Sequence, residues 1–511
     1  MKRLLPSFAA LITLSMPVSA AYLIFPDGDP ALKGDTKAAH EAYKKGDYAE
    51  ALRMFKAEAV RGDKDAQFAM GRLYEEGRAV EISAAMAENW YRKAAQQGHP
   101  SAQFNLAALL LNTPGRATEG VEWLRKAADA GSARAMLTIG SMAITGTGME
   151  KNPAEAKKWL EKAAGAGEPE GYDTLGQMYE AGQGLEKSAS KAVEMYENAA
   201  KRDFLKSMLR LGLIYLNGFG VEKDGAKAVD WFTRAAEKGS VDAMRALGQM
   251  YETGTGVAKK PADAVTWYKK AAEAGDPAGS TRLGDLYSEG TGVAQDEKKA
   301  MEWYLKAAEK GGAAAMFAIG GLYDKGRGVT ASPQDSVKWS VKAALNGLPL
   351  AQREMGKRYR TGKDVNKDTI VAQSWFTRAA YSGDTESALT VADMLISGEG
   401  GLPPDPKTAK SILTRAAETG MVEAQLKLAE YHEKGLDGRP DLIRAYALTL
   451  ATGDYEGGKK MREALEKKMT KEQIEQGKKE YDRLKTAPPA PKPADKAVPP
   501  VAPAAAGKKN P

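Results

Sequence analysis

Few side chains in this sequence are placed to do covalent chemistry. The 511 residues contain no cysteine and only three histidines, His40, His99 and His432. Without Cys there can be no disulfide, thiolate zinc site, iron–sulfur cluster or cysteine nucleophile. Three scattered histidines leave almost no material for a histidine metal site or a Ser-His-Asp triad. The segment Gly453–Lys460 has the glycines and lysines of a phosphate loop. It lacks the Ser/Thr that would hold magnesium, and it follows a helical pattern rather than a strand. Gly254/Gly256 and Gly290/Gly292 lack the third glycine of a dinucleotide loop and read as turns. Asp27-Gly28-Asp29 opens like a calcium loop, but its twelfth position is Ala38 rather than Glu. The reading is no catalytic residue, no cofactor and no metal, and therefore not an enzyme.

Charge excludes another class. The formal net charge is +7, but Lys2 and Arg3 contribute +2. The last 26 residues contribute +3, from four lysines against Asp495, which leaves +2 for residues 21–485. Such a balanced body is a poor match to a phosphate backbone, so no nucleic-acid partner is expected.

Both ends differ in composition from the body. Residues 1–20 run from a basic start through the apolar stretch Leu4–Met16 to Val18-Ser19-Ala20. This is the layout of a secretory signal peptide cleaved near Ala20. No other apolar run is long enough to span a bilayer, so the mature chain is expected to have no transmembrane segment. Residues 21–35 form an N-terminal extension. Residues 486–511 are rich in Pro, Ala and Lys and lack aromatics. They cannot bury enough apolar surface to offset their ordering entropy, which predicts a disordered tail.

Between the ends the residues repeat. Tryptophan stands at Trp90, Trp123, Trp159, Trp231, Trp267, Trp303, Trp339 and Trp375, mostly 36 residues apart, with Met195 filling the one double interval. Each unit carries two helical patterns. In Val241–Gly275, Ala243, Leu247, Gly248 and Tyr251 share one helical face, and Gly254 ends that helix. Pro261 suits the first turn of a second helix whose stripe is Ala264, Trp267, Tyr268, Ala271 and Ala272. No strand pattern is credible. Two columns of the first helix, such as Ala243 and Gly248, are small in all eleven units, which predicts close packing of helix axes. The Trp column reads as core. Units that must bury a face on a neighbour make a solenoid.

The pattern A-x-x-x-LG-x-x-Y-x-x-G-x-GV followed by A-x-x-W-Y-x-x-AA-x-x-G resembles the Sel1-like repeat, a relative of the tetratricopeptide repeat. The resemblance covers roughly 36–452. It implies an all-α, right-handed α/α solenoid of about twelve helix–turn–helix repeats. Residues 36–62 look like a tetratricopeptide-type first repeat, 63–452 like Sel1-like repeats, and 453–485 like C-terminal capping helices. Within the last segment Thr470 and Gln473 have the spacing of a capping box.

The resemblance further implies a protein–protein interaction scaffold whose first helices line a concave groove. Lining positions lie three before, one after and four after the Gly/Ala column. They form an apolar group, Phe104, Leu111, Leu137, Ile144, Leu209, Leu213 and Leu216, and a basic group, Arg353, Lys357 and Arg360. The first suits an apolar protein surface. The second suits a carboxylate or phosphate. With the leader, this predicts a periplasmic or secreted scaffold or regulator binding one or more proteins of a bacterial cell envelope. A binder or regulator of cell-wall glycan or exopolysaccharide machinery is the second reading, and a hydrolase of envelope substrates is the weakest.

Overall fold

Similar local devices punctuate most of the repeats. The helix Val241–Thr253 starts where Ser240 accepts a hydrogen bond from the Ala243 N–H. It stops at Gly254, whose left-handed backbone (φ 77°) lets its N–H close on the Met250 carbonyl. The next helix, Pro261–Glu273, has Pro at its start, where a missing N–H costs nothing. A glycine cap of the Gly254 type ends ten of the first helices; Pro100–Leu111 ends instead on Asn112.

The computed structural model describes residues 34–486. Among them are twenty-six α-helices, one short 3₁₀ turn at Glu399–Gly401 and no strand. They form twelve pairs, from Gly34–Lys44 with Tyr48–Val60 to Val422–Lys434 with Leu442–Ala451, followed by Glu456–Glu466 and Lys471–Thr486. Most helices have thirteen residues, about 20 Å at 1.5 Å per residue. The fold is an all-α repeat solenoid. The expected capping box is present: the Thr470 N–H donates to Gln473 Oε1 (2.9 Å) and the Gln473 N–H to Thr470 Oγ1 (3.2 Å). The leader over 1–20 lies outside the described residues. So does the tail over 486–511, except Thr486, which ends the last helix.

The chain divides into two units. One comprises residues up to Ile214 with Gly218–Glu222; the other comprises Tyr215–Asn217 and the chain from Lys223 onward. Within each, consecutive helices pack as antiparallel neighbours around small residues. The glycine column has a more specific cause than close helix axes. A β-carbon added at Gly248 would stand 2.8 Å from the Tyr268 ring, and at Gly284 2.6 Å from Tyr304. At Gly356 it would meet Phe376 at 2.9 Å. The glycine makes room for an aromatic ring from the second helix of its own repeat.

That ring, and not the tryptophan before it, is the main core residue. Tyr91, Tyr196, Phe232, Tyr268, Tyr304 and Phe376 are all buried. The Trp column corrects the expectation in part. Trp90, Trp123, Trp159, Trp231 and Trp375 are buried, but Trp267, Trp303 and Trp339 are only half-buried. All eight lie beneath a cation three residues on, such as Lys270 Nζ at 3.9 Å from the Trp267 ring centre and Lys93 Nζ at 4.3 Å from Trp90. One face of the indole packs inward while the other holds a Lys or Arg over its π-cloud.

Candidate interaction face

The first helices place the three lining columns on different ground. In the first unit Phe104 and Leu111 are half-buried against the core that contains Leu106, Leu110 and Leu124. Leu137 and Ile144 are half-buried against Leu160, Leu175 and Met178. Leu209 is also half-buried, while Leu213 is 44% exposed. Leu216, in the second unit, is half-buried. The column one residue after the glycine thus gives the most open positions, with Leu213, Gln249, Gly321, Lys357 and Asp393 all exposed.

The column four residues after the glycine is covered by the turn of the following repeat. A β-carbon at Gly148 would stand 3.5 Å from Leu111, and one at Gly256 2.9 Å from Leu216. Ser288 Oγ accepts from Arg327, and Arg360 donates to Glu399; both partners lie in the next repeat's glycine turn. Sequence spacing alone could not show this, because the turn returns across a helix 30 to 40 residues distant in the chain.

The basic group is paired. Arg353 Nη1 lies 3.1 Å from Asp384 and 2.8 Å from Glu386, and Lys357 Nζ lies 2.6 Å from Glu386. Arg360 grips Glu399 with two parallel bonds of 2.8 and 2.7 Å. Each acid belongs to the repeat that follows. The Lys357 ammonium holds the Glu386 carboxyl below the usual carboxylate range. An incoming anion would therefore have to compete with carboxylates already in place.

A polar bracket went unseen in the sequence. Where the ring in the glycine notch is a tyrosine, its hydroxyl meets an acid on the first helix. Tyr196 donates to Glu180 (2.6 Å), Tyr268 to Glu252 (2.9 Å) and Tyr304 to Asp285 (2.7 Å). An arginine from the following repeat joins in: Arg210 Nη1 donates to the Tyr196 hydroxyl (2.7 Å), and Arg282 Nε to Glu252 (3.1 Å). Burial pushes the Tyr196, Tyr268 and Tyr304 hydroxyls up from their ordinary range. The Arg282 hydrogen bond draws Glu252 down. A Tyr in the column after Trp or Met195, sixteen or nineteen residues beyond a Glu or Asp, was the available signal. These groups neutralise one another and brace neighbouring repeats. Among the described residues no group of three or more His, Asp or Glu is placed to hold a metal ion. No helix among them is long and apolar enough to cross a membrane.

The Sel1 repeat model matches eleven consecutive segments, from 64–99 through 422–450. An uncharacterized protein of Neisseria meningitidis serogroup B is 30% identical over 106 residues, which spans only about a fifth of each chain (21% of this one and 22% of that one). Among solved structures, a protective antigen of uropathogenic Escherichia coli with an SLR fold is 30% identical. It aligns over 85% of this chain and 94% of its own, with a TM-score of 0.49. A Sel1 repeat protein from Oxalobacter formigenes is 31% identical over 67% of this chain and 90% of its own, with a TM-score of 0.46.

Proposed function

Because the chain belongs to the Sel1-repeat family, we propose that it is an exported scaffold or regulator of a bacterial cell envelope that docks a protein partner on its first helices. Sel1-repeat proteins generally act as protein–protein interaction scaffolds and are typically not enzymes. The observation that carries the docking reading is the apolar run of the first unit. Phe104, Leu111, Leu137, Ile144 and Leu209 are half-buried and Leu213 is open to solvent, on helices whose equivalents elsewhere carry charge. A partly exposed apolar stripe gains by being covered. The leader-like pattern of residues 1–20 supports export, and the lack of Cys with only three His supports a non-catalytic role.

The test is affinity capture from an envelope extract, with the wild-type chain beside Leu213→Asp. Recovery of one protein by the wild type and its loss with Leu213→Asp, at unchanged helicity, supports the reading. Capture of wall glycan instead, or equal capture by both versions, overturns it. Cell fractionation of the full chain tests export; retention in the cytoplasm would refute it.

A further inference from the structure

One joint in the second unit breaks the pattern of all the others. Four residues ahead of the glycine cap, the first helices carry a buried apolar side chain: Met178, Ile214, Met250, Leu286, Leu322 and Met394. In the helix Pro349–Thr361 that position is Arg358, which is only 4% exposed. Its surroundings have changed with it. Ser336 replaces the buried alanine of the Ala264 and Ala300 column, and Ser340 replaces the ring of the Tyr268 and Tyr304 column; both serines are buried.

Arg358 is held on four sides. Its Nε donates to Glu354 (3.1 Å) and its Nη1 to Asp364 (3.2 Å). Its Nη2 donates to Asp324 (3.3 Å) and to Ser336 Oγ (3.1 Å). Lys363 Nζ stands 3.6 Å from Asp324. The cluster joins the helix Pro349–Thr361, the turn after it, and both helices of the preceding repeat, Ala313–Lys325 and Pro333–Leu345. Asp364 also occupies a left-handed backbone position (φ 60°), where the matching turns use Gly256, Gly292 and Gly328. Asp364 thus brings its carboxylate to the guanidinium from a conformation that disfavours a side chain, which Ala79 adopts at the matching place in its own turn.

We propose that this joint is a charge latch, at which the array opens locally when the carboxylates around Arg358 lose their charge while apolar joints stay closed. A buried ion pair contributes little over an apolar contact while intact, but losing its partner strands a charge away from water. Asp324, Glu354 and Asp364 are partly solvent-exposed, so protons reach them while the guanidinium stays buried. Acid therefore removes the partners and leaves the cation. At the Leu286 joint the carboxylates meet Arg282, which is half-exposed, so acid strands no buried charge there.

Hydrogen exchange on the intact chain, resolved by peptide, tests this on progressive acidification from pH 7, after correction for intrinsic exchange. The helices Pro333–Leu345 and Pro349–Thr361 should lose protection by at least about tenfold relative to Pro261–Glu273 and Pro277–Glu289. Arg358→Met should abolish that difference. Asp364→Gly separates the latch from ordinary backbone strain: it relieves the positive φ, so strain alone predicts tighter protection at pH 7, whereas the latch predicts weaker protection. Uniform acid opening of all joints, acid opening that persists in Arg358→Met, or tighter protection in Asp364→Gly would each overturn the proposal.

Discussion

The first helices Pro100–Leu111 and Ala133–Thr145 of the first unit and Pro277–Glu289 and Pro349–Thr361 of the second share backbone and small-residue columns, yet present opposite chemistry. In the first unit the lining positions are Phe, Leu and Ile resting half-buried on the core. In the second, Arg353, Lys357 and Arg360 are paired with acids of the following repeat, while Asp285 is bound by Arg282 and Tyr304 of its own repeat. The inner side of the repeat varies less, because most glycine notches are filled by a Tyr or Phe ring of the second helix. The lining can vary, because either apolar contact or ion pairing stabilises the next repeat. The two solutions differ in what they leave for a partner. Ion pairs consume their own binding capacity, whereas a half-covered leucine keeps surface to lose to water exclusion.

If the shared core underlies both regions, truncating its ring should hurt both alike. Tyr91→Ala in the first unit and Phe376→Ala in the second should each cost about 3–5 kcal/mol; denaturant unfolding measures it, and a large cost in one unit only would break the comparison. Gly248→Ala, which drives a methyl group into the Tyr268 ring, should cost about 1–3 kcal/mol. A stabilised variant would remove the ring as the reason for the glycine. Trp267→Ala should cost less than Phe376→Ala, because Trp267 is half-buried and half-covered by Lys270. Glu386→Gln should shift stability by no more than about 1 kcal/mol, and less at high salt, since the pairs with Arg353 and Lys357 are partly exposed. A salt-independent cost would show that this lining is not electrostatic.

The smallest effect concerns the two ends, which should respond alike. Burial holds the imidazoles of His40 and His432 below the usual histidine range. A depressed folded value means that neutral His contributes stability in full above its unfolded value, near 6.5, and loses it as pH falls. Melting curves at mildly acidic and neutral pH should show a small loss on acidification. That loss should shrink in His432→Gln, and an unchanged pH response in the variant would exclude His432 as its source.

Much of the fold was legible in the sequence because its rules are local and recur. Gly254 with its left-handed cap, Pro261 at a helix start and the Thr470–Gln473 box depend on residues within one turn of each other. Repetition every 36 residues then fixed the number of pairs. The meaning of the columns was less legible. Gly248 announced a close approach, but only packing showed that Tyr268 fills the space, and that Trp267 shares its ring between core and Lys270. Leu111 and Arg360 shared a helical face with Leu213 in the sequence pattern, yet a following turn covers the first two. Nothing in the local pattern marks Arg358 as buried, because its partners Asp324 and Ser336 come from the preceding repeat.

The sequence by itself determined the helices, their ends, their number and the family, since backbone capping and apolar periodicity act over a few residues. The tertiary structure decided which lining side chains remain open and which charges are paired. Those outcomes depend on groups 20 to 40 residues apart meeting at one point, and a guanidinium becomes either a free binding group or a buried latch only when its partners arrive.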